Sequence, residues 1–213
     1  MEHSIKEILS CGGRIAMGCE IPHCPDAEAS LRRLIGGNAR YLESEMNHAH
    51  LTDHIRIRTA HEGQKPFAVV VCCADSRVPP EHIFSAGIGD LFVIRNAGNV
   101  MTPSALGSVE YAVEHLHVPL VLVMGHRGCG AVIAAMQDHR EQGALGDLVA
   151  EVAAAVGHAH DPRQAELNNL RNSLRRLGTS DGLRKLSAES KAAFAGAIYD
   201  IRTGSVSFLR DEI

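Results

Sequence analysis

Two short stretches carry the residues best suited to chemistry: Cys73-Ala74-Asp75-Ser76-Arg77 and Gly125-His126-Arg127-Gly128-Cys129-Gly130. Two thiols and an imidazole, from Cys73, His126 and Cys129, form the donor set of a tetrahedral zinc site with its fourth position open, the arrangement of a catalytic rather than a structural zinc. Asp75, two residues beyond the first thiol, can fill that position as a further metal ligand or hydrogen-bond whatever fills it. Arg77 is its natural partner, since a guanidinium binds a carboxylate with two prongs. Taken singly, a Cys at a strand end or a His in a core is an ordinary buried side chain. Here the three fall in two loops, and a charged Asp-Ser-Arg follows one of them, which favours the metal reading.

Each motif follows an apolar run that must position it. Phe67-Ala68-Val69-Val70-Val71-Cys72-Cys73 has the length of a buried strand, as do residues 90–95 and 119–124. Asn96-Ala97-Gly98-Asn99 ends the second run as a turn. Thr102-Pro103 is an N-cap followed by proline in the first helical position, and Leu106, Val109, Val113 and Leu116 continue with helical spacing. A further helix is expected from Ala131 to Met136. Strands alternating with helices predict an α/β fold: a mostly parallel sheet of about four strands, with right-handed crossovers and ligand sites at the carboxyl ends of the strands. Both motifs then lie on one edge of the sheet.

Outside this centre, residues 1–25 read as an N-terminal extension and 26–46 as a helical arm, with Asp26 as its cap and Leu31, Leu34, Ile35 and Leu42 on one face. Residues 144–191 are mostly helical in pattern. Residues 194–200 and 206–209, parted by Thr203-Gly204, read as a C-terminal hairpin or edge strand. Residues 1–213 are read as a single domain.

Net charge is −4 with both signs interspersed, so there is no basic field for a nucleic acid or an anionic membrane, and a small-molecule substrate is expected. No stretch approaches the roughly 20 apolar residues of a membrane span, and Met1 to Glu7 shows no export signal, which points to the cytoplasm. The six cysteines are read as buried thiols or metal ligands rather than disulfides. Cys72 points to the opposite face of its strand from Cys73 and is read as core. Cys11, Cys19 and Cys24 are irregularly spaced and are read as free thiols.

The segment from Lys65 to Asn99, with Cys-Ala-Asp-Ser-Arg-Val-Pro-Pro-Glu and Arg-Asn-Ala-Gly-Asn, resembles the bacterial β-carbonic anhydrase family. So do Gly107-Ser108-Val109-Glu110-Tyr111-Ala112-Val113 and residues 125–131. The resemblance implies one Zn2+ per chain on Cys73, His126 and Cys129, an Asp75–Arg77 dyad, and reversible hydration of carbon dioxide to bicarbonate by a zinc-bound hydroxide. In some members the Asp of the dyad closes onto the metal. It further implies a homodimer or homotetramer whose N-terminal helix wraps its partner. Two features depart from relatives: Phe84-Ser85-Ala86-Gly87 has no side-chain amide to orient substrate, and Val70 stands where some members place a tryptophan. That tryptophan belongs to an inhibitory bicarbonate site with counterparts of Arg95 and Tyr199, so the site is expected to be absent or weakened here. Alternatives are a carbonyl sulfide or carbon disulfide hydrolase on the same scaffold, and a non-catalytic zinc or bicarbonate-binding protein.

Overall fold

The computed structural model describes residues 24–43, 51–137 and 141–209, together with the residue pairs 14–15 and 19–20. Those pairs, β1 (Arg14–Ile15) and β2 (Cys19–Glu20), form a small antiparallel ribbon. The main sheet has five strands in the order β4 (Leu91–Asn96), β3 (Ala68–Cys73), β5 (Leu120–His126), β6 (Ala193–Tyr199) and β7 (Val206–Phe208). The first four are parallel, and β7 returns antiparallel at the edge, so the expected sheet of about four parallel strands plus a C-terminal edge strand is the one that forms.

β3 and β5 are buried at every position, which explains why they read as unbroken apolar runs rather than alternating ones. The side-chain period of two still sorts their residues between two cores. Val69, Val71, Val121 and Val123 pack on one face with α4 (Pro103–His115), α7 (Pro162–Leu177) and α8 (Asp181–Ala188). Val70, Cys72, Leu122 and Met124 pack on the other with α1 (Pro25–Glu43). Burying such a side chain contributes about 1.5–3 kcal/mol, so a one-residue slip of either strand would exchange the two cores. Cys72 is core, as expected.

α1 begins one residue earlier than expected, which places Asp26 inside its first turn rather than at the cap, and it is described to Glu43. Positions 44–46 of the expected helix lie outside the described residues, as do Cys11 and the side chain of Cys19. Ala27, Ser30, Leu34, Gly37 and Asn38 of this helix are buried by the subunit itself; of the face expected to cover a partner only Leu34 is among them, Leu31 and Ile35 are half-buried and Leu42 is exposed. Asn38 fastens the helix, donating to the carbonyls of Ile83 and Gly204 and accepting from the Val206 N–H. Gly37 is obligatory here, since a Cβ would lie 1.9 Å from the Phe84 carbonyl oxygen.

Two short helices frame the motifs, α3 (Pro80–Ile83) after the first and α5 (Gly130–Met136) after the second. α2 (Asp53–Glu62) has no counterpart in the sequence expectations; the Thr52 hydroxyl caps it, and none of its residues is buried. Residues 144–191 resolve into α6 (Gly143–Val156), α7 and α8. Among the described residues no helix is long and apolar enough to cross a membrane.

Candidate metal centre

Parallel pairing sets the ends of β3 and β5 side by side, with Cys72 opposite Met124. The chain leaves both strands at this edge, so Cys73 at the end of β3, His126 at the end of β5 and Cys129 just beyond it converge. Their three ligand atoms lie within 4.8 Å of one another, and all three residues are buried, which gathers the donor set of one tetrahedral ion in one place. Val100, Val132, Val152, Val156 and Ala165 pack around the thiols and keep their surroundings apolar.

His126 supplies the test of fit. Its Nδ1 faces the Arg127 carbonyl at 3.1 Å, while Nε2 is buried without a hydrogen-bond partner. With Nδ1–H donating to that carbonyl, Nε2 presents its lone pair to the thiols. This is the tautomer a metal-bound histidine requires, fixed by the backbone acceptor that such ligands commonly use. A buried nitrogen without a partner is costly, and a metal ion would satisfy it. The donor set therefore fits a zinc ion.

The electrostatics already favour an anionic sulfur. The Cys73 thiol is lowered to about 4, first by the Cys129 thiol and against the effect of burial, with His126 and the N–H groups of Asp75 and Gly98 helping. Those amides lie 3.5 and 3.4 Å from its Sγ. Cys129 is driven upward by the same neighbouring sulfur and by burial, so without a cation the pair carries one negative charge. Burial disfavours the charged form of His126, but the anionic Cys73 sulfur outweighs it and raises the imidazole, so a metal ion on Nε2 takes the place of a proton there. Cys72, one residue from Cys73, is pushed up to about 12 by burial and stays a thiol. Adjacent cysteines thus acquire opposite chemistry from the strand's alternation.

Asp75 is not a member of the three-residue group. Its Oδ1 accepts from the Arg77 backbone N–H at 2.9 Å and from Arg77 Nε at 3.0 Å, and its Oδ2 accepts from Nη2 at 2.7 Å. Those bonds, the side-chain ones foremost, hold the carboxyl well below the usual range. Arg77 Nη2 also reaches the Gly128 carbonyl at 3.5 Å, linking the two loops.

The sequence reading missed several residues that hold this edge together. Arg95 donates to the carbonyls of Cys73 at 3.0 Å and Asp75 at 2.6 Å, clamping the backbone on both sides of Ala74. From α7, Glu166 accepts from Arg127 and Gly128, Asn169 donates to the Gly98 carbonyl, and Ser173 donates to that of Asn99. These are polar residues at i, i+3 and i+7 beside buried Ala165, Leu170, Leu174 and Leu177. A polar line along a core-facing helical stripe is the signal that could have found them. The arginine and tyrosine expected to remain from the inhibitory bicarbonate site are engaged inside the fold: Arg95 as described, and Tyr199 through its hydroxyl, 3.4 Å from that of Tyr41. Val70 is completely buried.

A parallel sheet ending in a Cys–His–Cys cluster beside an Asp–Arg pair defines a β-class carbonic anhydrase architecture. The family model described as carbonic anhydrase matches residues 68–206, and the chain belongs to the β-carbonic anhydrase family. It is 45% identical over 133 residues to carbonic anhydrase 2 of Mycobacterium tuberculosis, covering 60% of this chain and 63% of that relative. With the carbonic anhydrase of Mycolicibacterium smegmatis the identity is 41%, over 60% of this chain and 64% of the other. The chain thus spans somewhat under two thirds of these relatives. Among solved structures, one of the tetrameric β-carbonic anhydrases of Sordaria macrospora superposes with a TM-score of 0.66 at 26% identity, covering 74% of this chain and 87% of that one. The Coccomyxa β-carbonic anhydrase in complex with acetazolamide gives 0.65 at 26% identity, covering 74% and 78%.

Proposed function

We propose that the chain hydrates carbon dioxide reversibly to bicarbonate, using one zinc ion held by Cys73, His126 and Cys129. The observation that carries this reading is the buried, unpartnered His126 Nε2 beside two thiols, with the Asp75–Arg77 pair next to them. When bound, zinc supplies the Lewis acidity that brings the pKa of a water from 15.7 down toward ~7. Asp75, kept ionised by Arg77, can only accept hydrogen bonds. A proton-bearing nucleophile beside it must therefore donate to it, which turns the nucleophile's lone pair away from the carboxylate and toward the substrate carbon. Arg77 restrains Asp75 in this accepting position. Released from Arg77, the same carboxylate would become a fourth metal ligand and exclude the nucleophile.

We also infer that residues 1–213 act as one domain and that the chain assembles as a homodimer or homotetramer. Support comes from the edge of β4, which no strand among the described residues pairs and whose residues are only partly covered, and from the exposed Ile57 and Tyr111. The relative from Sordaria macrospora is described as tetrameric. Residence in the reducing cytoplasm is supported by Cys24, Cys72, Cys73 and Cys129, none of which is in a disulfide.

The test is stopped-flow hydration with a pH indicator on protein assayed for zinc, with carbonyl sulfide hydrolysis measured in parallel. Rapid hydration that scales with zinc content is expected. Zinc-loaded protein without hydration activity, or with carbonyl sulfide as the better substrate, would overturn the proposal.

A further inference from the structure

Glu166 is a carboxylate with only 4% of its surface exposed, on the face of α7 turned toward the candidate metal centre. Both of its oxygens are used. Oε2 accepts from Arg127 Nη1 at 2.8 Å, and Oε1 accepts from the Gly128 N–H at 2.7 Å. Arg127 and Gly128 are the two residues between His126 and Cys129. Gly128 has a φ of +70°, a left-handed turn that suits glycine. Its peptide N–H faces Glu166, while its carbonyl faces Arg77 at 3.5 Å. Arg127 is tied to the same helix a second time, by donating to the Arg163 carbonyl at 3.3 Å.

Replacing a buried ion pair with apolar residues is often neutral or stabilising, so stability alone is a weak reason to keep a carboxylate here. What the carboxylate does that a leucine cannot is accept the Gly128 N–H and fix the turn carrying Cys129. The same helix face also holds the turn that follows β4: Asn169 donates to the Gly98 carbonyl at 2.7 Å and Ser173 to that of Asn99 at 2.9 Å. The Gly98 N–H in turn points at the Cys73 sulfur. α7 thereby holds the loop that carries Cys129 and the loop whose Gly98 amide faces the Cys73 sulfur against one template.

We infer that Glu166 is a positioning residue that sets the His126–Cys129 loop in its metal-binding form through Arg127 and the Gly128 amide, an inference that rests on the metal-centre reading above. It touches neither metal nor substrate, so its signature is in metal binding and coordination geometry rather than in the chemical step alone.

The experiment titrates Co2+ into the apo forms of the wild type, Glu166→Gln and the double variant Arg127→Met/Glu166→Leu. The visible spectrum reports coordination, a chromophoric chelator competes for the metal, and the thermal midpoint of each apo protein is the control. The double variant leaves no buried charge unpaired, so it carries the test if Glu166→Gln does not fold. Wild type should show one thiolate-rich tetrahedral cobalt site. The variants should bind cobalt about 10–100-fold more weakly, with altered d–d bands, while the double variant keeps its apo midpoint. Unchanged affinity and spectrum in the folded variants, or a loss that only follows the apo midpoint, would overturn the inference. Failure of the wild type to bind cobalt at all would instead overturn the metal-centre reading.

Discussion

Arg77 grips both oxygens of Asp75, with Nε on Oδ1 at 3.0 Å and Nη2 on Oδ2 at 2.7 Å, and Asp75 thereby stands apart from the Cys73–His126–Cys129 cluster. Arg77→Ala should leave zinc bound, because Arg77 touches the carboxylate and none of the three ligands. Hydration should fall about 10–100-fold as Asp75 turns to the metal. Adding Asp75→Asn removes the charge that drives this turn, so the double variant should keep the fourth position open without regaining full rate. A crystal structure of Arg77→Ala with Asp75 in place, together with near-normal rates, would refute the restraining role.

The same pair predicts a pH effect whose sign is fixed. Arg77 depresses the folded-state pKa of Asp75, so the stability it contributes is present above the ordinary aspartate value and is lost as pH falls through the depressed one. In carboxyl-carbon NMR of the wild type, Asp75 should still be ionised at about pH 3, where free aspartate is mostly protonated. In Arg77→Ala its titration should move up into the ordinary range. The two titrations coinciding would show that Arg77 is not the cause. The stability change itself should be small, since Arg77 is mostly exposed to solvent.

The neighbouring cysteines offer a contrast within one strand. Cys129→Ala and Cys73→Ala should each lose zinc and activity, because three protein donors become two. Cys72→Ala should keep both and cost about 1–2 kcal/mol of stability, since its sulfur only packs in the core on the other face. Zinc analysis and thermal melts decide this. Metal loss in Cys72→Ala would mean that the strand register is wrong.

Gly37→Ala tests the docking of α1. The added methyl meets the Phe84 carbonyl oxygen at 1.9 Å and its carbon at 2.7 Å, and backbone atoms yield less easily than a side-chain tip. A loss of about 1–3 kcal/mol is expected from such overpacking. An unchanged melting midpoint would show that α1 does not approach α3 so closely.

Light scattering should find a dimer or a larger assembly, because among the described residues β4 has an unpaired edge. Lysine substitutions at Ile57 and Tyr111, both exposed in the subunit, should weaken the assembly. A stable, fully active monomer would contradict it.

What the residues determined by themselves was local or followed from chain topology. Short unbroken runs rich in Val, bounded by turn residues and alternating with helical segments, read as buried strands of a parallel sheet, and parallel strands joined by crossovers release their following loops at one edge. That topology brings Cys73, Asp75, His126 and Cys129 near one another, and the strand's alternation separates Cys72 from Cys73. The tertiary structure decided matters that depend on surfaces remote in sequence. The arm helix seats Gly37 and Asn38 on its own subunit because Phe84 and residues 204–206 rise to meet them, and no periodicity encodes that. α2 was missed because it buries nothing and so leaves no apolar stripe to read. Glu166, Asn169 and Ser173 read as ordinary polar helix residues until α7 is packed against the sheet edge. Only then do they face the backbone of loops some 38 to 74 residues earlier in the chain, and although a polar line in a core-facing stripe marks them as engaged, the sequence does not say which distant peptide groups they meet.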